Sequence, residues 1–197
     1  MFVDGEARVT GRKPRADAER NRERLIEAAK AAFAEVGPQV SLEEIAQRAG
    51  VGIGTLYRRF PDRGAIVEAV YRREVQQMAD AAARLLETAR PSEALRLWMG
   101  LFIDYVATKK VIAPALGSIV GGPSELFATS GVRITDAMSL LVERATAAGE
   151  IRADTDPGDL LRAMVGIAYS NSAPGWEASA RRLIDILMDG LEARRTP

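Results

Sequence analysis

The run from Ser41 to Phe60, SLEEIAQRAGVGIGTLYRRF, constrains this chain more than any other segment. Gly37-Pro38 stands before it, Pro61 closes it and Gly50 interrupts it. Ser41-Leu42-Glu43-Glu44 has the form of a capping box, in which the serine oxygen accepts from the N3 amide and Glu44 reaches back. The helix opened there has room for about two turns before Gly50. A second element, Ile53 to Phe60, ends at the proline. Neither piece is long enough to hold as an isolated helix in water, so each must bury one face against a neighbour. Ile45, Ala46, Ala49, Val51, Leu56 and Phe60 carry the spacing for that face. Ala46 is small where two helices would cross, and Gly50 supplies the turn. The layout is a helix-turn-helix.

Burying that face turns Gly52, Ile53, Gly54, Thr55, Tyr57, Arg58 and Arg59 outward. Their chemistry suits a polyanion. Two glycines let the helix N-terminus approach closely, where free amides favour a phosphate. Thr55 and Tyr57 bring hydroxyls, and the arginines bring fork-shaped cationic donors. Ile53 and Thr55 have methyl groups that suit a thymine methyl.

Charge is distributed to match. The whole chain has 27 Lys+Arg and 27 Asp+Glu. Between Arg8 and Arg24, however, seven basic residues face three acidic ones, and from Gly64 onward 15 basic residues face 17 acidic ones. A basic head on a mildly acidic body fits contact with a phosphate backbone.

The remainder reads as helices, giving an all-α chain of about nine. Residues 1–18 are polar, with Gly5, Gly11 and Pro14, and read as a flexible basic arm. A helical period runs from Glu19 through Leu25, Ile26, Ala29, Ala32, Phe33 and Val36. Asp62 opens a long helix through Ile66, Val67, Val70, Tyr71, Met78, Ala82, Leu85 and Leu86. Arg90-Pro91 breaks it, and Ser92 caps the next, which carries Leu95, Trp98, Met99, Phe102, Ile103 and Val106. Lys109 to Val120 has no clear period. Ser124 to Ala148 is helical with an interruption expected near Ser130-Gly131. Asp156-Pro157 starts a further helix, and the last spans about Glu177 to Arg194. The domains expected are 1–18 for the arm, 19–65 for the helix-turn-helix domain and 66–197 for the C-terminal domain.

With no cysteine and no histidine, disulfides, thiolate or imidazole metal sites and Ser-His or Cys-His catalysis are excluded. No catalytic residue, metal or cofactor is expected. No membrane span or signal peptide is evident, so a cytoplasmic location is expected. Asp154, Asp156 and Asp159 are the one cluster an enzyme could use for a cation, but their spacing is irregular and suits caps. A helical adaptor using the N-terminal fold for protein contacts is a second alternative, and an activator or nucleoid-type binder a third.

The block VGIGTLYRRF, after SLEEIAQRAG and before PDRGAIVEAV, resembles the signature of TetR-family regulators, and Asn21 to Val70 is similar to that family's DNA-binding domain in order and spacing. The resemblance implies an operator-binding homodimer, most often a repressor, released by a small-molecule effector as yet unidentified. It places Ser41 at a helix cap that touches phosphate and Thr55 and Tyr57 at backbone-contacting positions. Arg59 stands where a histidine is frequent, and Arg63 where a lysine meets phosphate. Gly52 departs from the usual serine and loses a cap. Ser41, Ile53, Gly54, Thr55, Tyr57, Arg58, Arg59 and Arg63 form the expected contact set for double-stranded DNA, and Gly52 is left out of it.

The tail LFIDYVATKK…GEIRADTDPGDLLRAMVGIA is similar to the SbtR-like group of C-terminal domains. There the resemblance implies a dimer interface on the last two helices, with Leu160, Met164, Ile167, Ile184, Leu187 and Leu191 as candidates. Trp98, Phe102, Tyr105, Phe127, Met138, Met164 and Tyr169 are bulky or adaptable side chains suited to an effector cavity.

Overall fold

A computed structural model of the chain describes residues 12–116, 123–170 and 173–192. Among them are eight helices, close to the expected nine: α1 (Arg12–Val36), α2 (Leu42–Arg48), α3 (Ile53–Arg59), α4 (Arg63–Thr88), α5 (Pro91–Leu116), α6 (Pro123–Ala147), α7 (Pro157–Tyr169) and α8 (Trp176–Leu191). The only extended pairing among the described residues is an isolated antiparallel bridge between Ile151 and Glu192. The chain divides into two compact units between Val70 and Tyr71.

In the N-terminal unit, α1 begins at Arg12 rather than Glu19. Pro14 then falls in the first turn, where its missing N–H is no loss because that amide has no intrahelical partner. Residues 1–11, the rest of the expected arm, lie outside the described set. Leu25, Ile26, Ala29, Ala32 and Phe33 are buried. Val36, counted in the same stripe, is exposed at the helix end. Gly37, at φ 101°, turns the chain there, and its N–H reaches the Phe33 carbonyl at 3.0 Å. Ser41 Oγ accepts from the Glu44 amide at 3.1 Å, capping α2. The return half of the capping box does not form: the Glu44 carboxylate instead accepts from Arg48, whose guanidinium also reaches Glu35 at 2.6 Å and so ties α2 to α1.

The turn between α2 and α3 depends on Gly50, which sits at φ +64°. The Arg24 guanidinium lies 2.6 Å from where a Cβ would project. Ile45, Ala46, Ala49, Leu56 and Phe60 close over this turn and are buried. Full burial of a leucine or isoleucine contributes roughly 1.5–3 kcal/mol, which a seven-residue helix cannot replace with its own hydrogen bonds. Asp62 Oδ1 accepts from Ala65 N–H at 2.8 Å and starts α4.

The C-terminal unit packs α5 against α6 and α8, and α7 against α6 and α8. Trp98 is fully buried at its centre, and its indole N–H donates to the Met78 carbonyl at 2.8 Å. Here α5 starts at Pro91, so Ser92 is its second residue and not the expected cap. The Ser92 amide is satisfied from afar by the Glu150 carboxylate at 2.8 Å. The helix continues to Leu116 through the stretch with no clear period, and Pro114 falls in its last turn. Residues 117–120, the end of that stretch, are not among those described. No break occurs at Ser130-Gly131; the Ser130 hydroxyl donates back to the Leu126 carbonyl at 2.7 Å and α6 runs on. Asp156 caps α7 through the Asp159 amide at 2.7 Å, with Pro157 first in the helix. The last helix stops at Leu191, where Arg152 N–H takes the Leu191 carbonyl at 2.9 Å; Arg194 lies outside the described residues. No described helix is long and apolar enough to cross a membrane.

Substituting Gly50→Ala is expected to destabilise the protein by about 1–2 kcal/mol, since a side chain at positive φ is strained. A urea melt checks this, and an unchanged midpoint would show that the turn tolerates a Cβ. The Ser92 hydrogen bonds hold the Glu150 carboxyl below its ordinary range. A carboxyl so lowered adds stability above its unfolded value and loses it as pH falls through the folded one. Glu150→Ala should therefore melt lower than wild type near neutrality, with the gap closing as the solution is acidified below about pH 4. A gap that persists at low pH would rule out the charged cap.

Candidate nucleic-acid interface and ligand cavity

Every residue that the sequence turned outward from α3 is accessible. Ile53 and Tyr57 are 37% and 47% exposed although both are large and apolar in part. Gly52, Gly54, Arg58 and Arg59 are exposed, Thr55 is half-buried, and only Leu56 turns inward from the helix. The N-cap is Gly52, which offers no side-chain cap. The first amides of α3 therefore stay available to a phosphate. No acidic side chain occurs on α3.

The cations of this surface are not equally free. Arg58 folds back along its own helix, donating to the Gly54 carbonyl at 3.2 Å and to Thr55 Oγ1 at 3.1 Å. Those two bonds use two of its five N–H donors, and swinging away from the helix would exchange them for new partners. Arg63 is half-buried and donates to the Pro38 carbonyl at 2.7 Å; its remaining N–H groups are what it can offer a phosphate. Arg22 sits over the Phe60 ring at 5.9 Å, so a cation of the basic stretch also closes the core. Arg24, which covers Gly50, drew no separate role from sequence because nothing local ties α1 to that turn.

The C-terminal unit holds a cavity of about 200 Å³ lined by residues of α4 to α7. Phe102, Tyr105, Phe127 and Tyr169 of the expected set line it. Trp98, Met138 and Met164 do not; all three are fully buried in the surrounding core. Tyr71, Val106, Lys109, Gly131, Ile134, Thr135, Leu161 and Val165 complete the wall. The sequence held a signal for part of this set: Phe102, Tyr105, Val106 and Lys109 follow the three-and-four spacing of one helix face. Lys109 escaped notice because the stretch beginning there had no clear period.

The wall carries specific polar chemistry. The Tyr71 and Tyr105 hydroxyls meet at 3.1 Å, and Tyr71 sets its ring edge-on to Phe127 with centroids 5.5 Å apart. Burial, reinforced by the Tyr71 hydroxyl, raises the Tyr105 phenol far above its ordinary value and keeps it neutral. Tyr169 is raised by burial as well. Lys109 Nζ lies 4.7 Å from the centre of the Phe127 ring, and burial lowers its pKa. Its neighbour Lys110 serves structure, donating to the Ala168 carbonyl at 2.7 Å near the end of α7, with its ammonium 3.7 Å from the Trp176 ring centre.

The expected dimer residues divide. Leu160, Met164 and Ile184 are buried within their own subunit, whereas Ile167, Leu187 and Leu191 are half-buried. The exposed apolar residues on these two helices are instead Val165, Tyr169, Leu183 and Ile186, the last 66% exposed. The aspartates considered as a cation site are used locally: Asp154 pairs with Arg152 at 2.7 Å, Asp156 is the α7 cap and Asp159 pairs with Arg162. Among the described residues no cluster of three or more acidic groups is placed to hold a metal.

Comparison with known proteins agrees with this geometry. Residues 25–70 match the family model of bacterial regulatory proteins of the tetR family. Residues 90–193 match that of the SbtR-like transcriptional regulator C-terminal domain. An HTH-type transcriptional regulator of Staphylococcus aureus is 40% identical over 62 residues, 31% of this chain and 34% of that protein, so this match spans about a third of the relative's length. The TetR transcriptional regulator SCO0520 of Streptomyces coelicolor superposes with a TM-score of 0.80 at 43% identity, over 88% of this chain and 99% of that one. A TetR transcription regulatory protein of Mycobacterium vanbaalenii gives 0.76 at 34% identity, over 91% and 99%. With an exposed, acid-free α3 and both parts of the chain matched, the protein belongs to the TetR family of helix-turn-helix transcriptional regulators, with a C-terminal domain of the SbtR-like kind.

Proposed function

We propose that the chain acts as a homodimeric repressor that binds a palindromic operator through α3 and releases it when a small molecule fills the C-terminal cavity. The observation that carries this reading is the outward face of α3: Ile53, Tyr57, Arg58 and Arg59 exposed on a helix with no acid and an uncapped N-terminus. Tyr57, Arg59, Ser41 and Arg63 would take phosphates. Arg58, released from Gly54 and Thr55, would reach the groove beside Ile53, Gly54 and Thr55.

A single α3 reads too few base pairs for a specific site, so two copies about 34–36 Å apart on a two-fold axis are required. The outward faces of α7 and α8 support that pairing. Leu183, Ile186, Leu187 and Gly190 recur at three-and-four spacing on α8, and a Cβ at Gly190 would meet open space. Two copies can therefore approach closely there. Helix α4 begins in the N-terminal unit and ends in the C-terminal one. A ligand that favours one setting of α4 over another would shift the spacing of the two reading helices and so lower operator affinity.

Operator fragments selected from genomic DNA test the first step. By fluorescence anisotropy, Arg58→Ala and Tyr57→Phe should each weaken operator binding by about 1–3 kcal/mol, and Arg59→Ala should lower the salt slope by about 1. Full binding by all three would remove α3 from the interface, and no salt-sensitive binding at all would favour a protein-binding adaptor. Sedimentation velocity tests the second step. Ile186→Glu should convert a dimer to a folded monomer, because a charge cannot be buried unpaired. A variant that remains dimeric would place the interface elsewhere.

A further inference from the structure

The lining of the C-terminal cavity is asymmetric in charge. Lys109 is the only ionised side chain among its twelve lining residues, and none of them is acidic. The ammonium faces the Phe127 ring, and among the described residues it has no carboxylate partner. A ring quadrupole compensates a desolvated cation only in part, and burial already disfavours the charge on Lys109. Tyr71, Tyr105, Tyr169 and Thr135 add hydroxyls to the same wall. Since the Tyr71–Tyr105 contact consumes one proton of its pair, one phenolic O–H of the two remains free to donate. The same lining includes the apolar side chains of Phe102, Val106, Ile134, Leu161 and Val165.

We propose that this cavity takes a small organic monoanion, with a single carboxylate received by Lys109 and a compact apolar body packed among Phe102, Val106, Ile134 and Leu161. The inference rests on the cavity being the effector site proposed above. Its size sets the scale: about 200 Å³ is below the roughly 300–1,000 Å³ of drug-sized sites, which suits one ring or a short chain. One cation sets the charge. A phosphate monoester would bring close to two negative charges against one ammonium, and an amine would place two cations together in a half-buried site. A carboxylate also makes use of the phenolic donors, since hydrogen bonds to an ionised acceptor are the strong ones.

Three probes share one carbon skeleton and differ in charge: 3-phenylpropanoate, 3-phenylpropanamide and 3-phenylpropylamine. Titration calorimetry on the full chain without DNA should show the acid binding at least about tenfold more tightly than the amide, with the amine weakest. Lys109→Met should abolish the preference for the acid over the amide, and Lys109→Arg should retain it, with circular dichroism melts confirming that both variants fold. The proposal is overturned by an amide that binds as tightly as the acid, by an acid that fails to bind at millimolar concentration, or by a preference that survives in Lys109→Met. Operator anisotropy with saturating 3-phenylpropanoate keeps the two readings apart. Acid binding with undiminished operator affinity upholds the charge rule while counting against ligand-driven release; acid binding with release upholds both.

Discussion

The inward turn of Leu56 and Phe60 is the constraint on which the recognition surface depends. Helix α3 is seven residues long and has no stability of its own. It persists because Leu56, with Ile45, Ala46 and Phe60, closes a buried face where α3 packs on α2, which itself packs on α1. Once that face is committed, the helical period leaves no choice about the others: Ile53, Tyr57, Arg58 and Arg59 must point outward. The exposed face of α3 is here the by-product of packing a very short helix. The acid-free composition of α3 then converts an exposed rod into one that a phosphate backbone attracts.

The same economy governs how charges are used. Arg48 joins two helices through Glu35 and Glu44, Arg22 covers Phe60, Arg24 covers Gly50 and Arg63 holds the Pro38 carbonyl. Of the basic residues in this unit, several therefore build the scaffold that presents the others. Arg58 is intermediate. Its bonds to Gly54 and Thr55 hold it along the helix, so the DNA contact proposed for it would be an exchange of partners and not a simple gain. Exposed hydrogen bonds of this kind have modest net value, which makes the exchange easy.

In the C-terminal unit the largest side chains and the cavity are neighbours but not the same set. Trp98, Met138 and Met164 fill space completely, which dispersion and hydrophobic burial both favour. Space remains where amphipathic side chains meet, because Tyr71, Tyr105 and Lys109 cannot be packed like hydrocarbon without losing a partner for a polar atom. Two exposed apolar residues of α7, Val165 and Tyr169, belong to that wall, whereas Leu183 and Ile186 of α8 stand apart from it.

Sequence alone determined the all-α class, the helix-turn-helix with its cap at Ser41 and turn at Gly50, the outward set on α3 and the family. Each is governed by local signals: periodicity, caps, and glycine or proline at a few positions. It misjudged features that rest on distant partners. The start of α5 was put at Ser92, but Glu150 satisfies that amide from far along the chain. The break near Ser130 did not occur, since one serine hydroxyl back-bonds without ending a helix. Leu160, Met164 and Ile184 were assigned to a partner, but an amphipathic stripe does not say which body will cover it, and their own subunit does. Only the tertiary structure brought Tyr71 of α4, Lys109 of α5 and Phe127 of α6 to one wall, because periodicity fixes the face a residue occupies and packing alone fixes what that face meets.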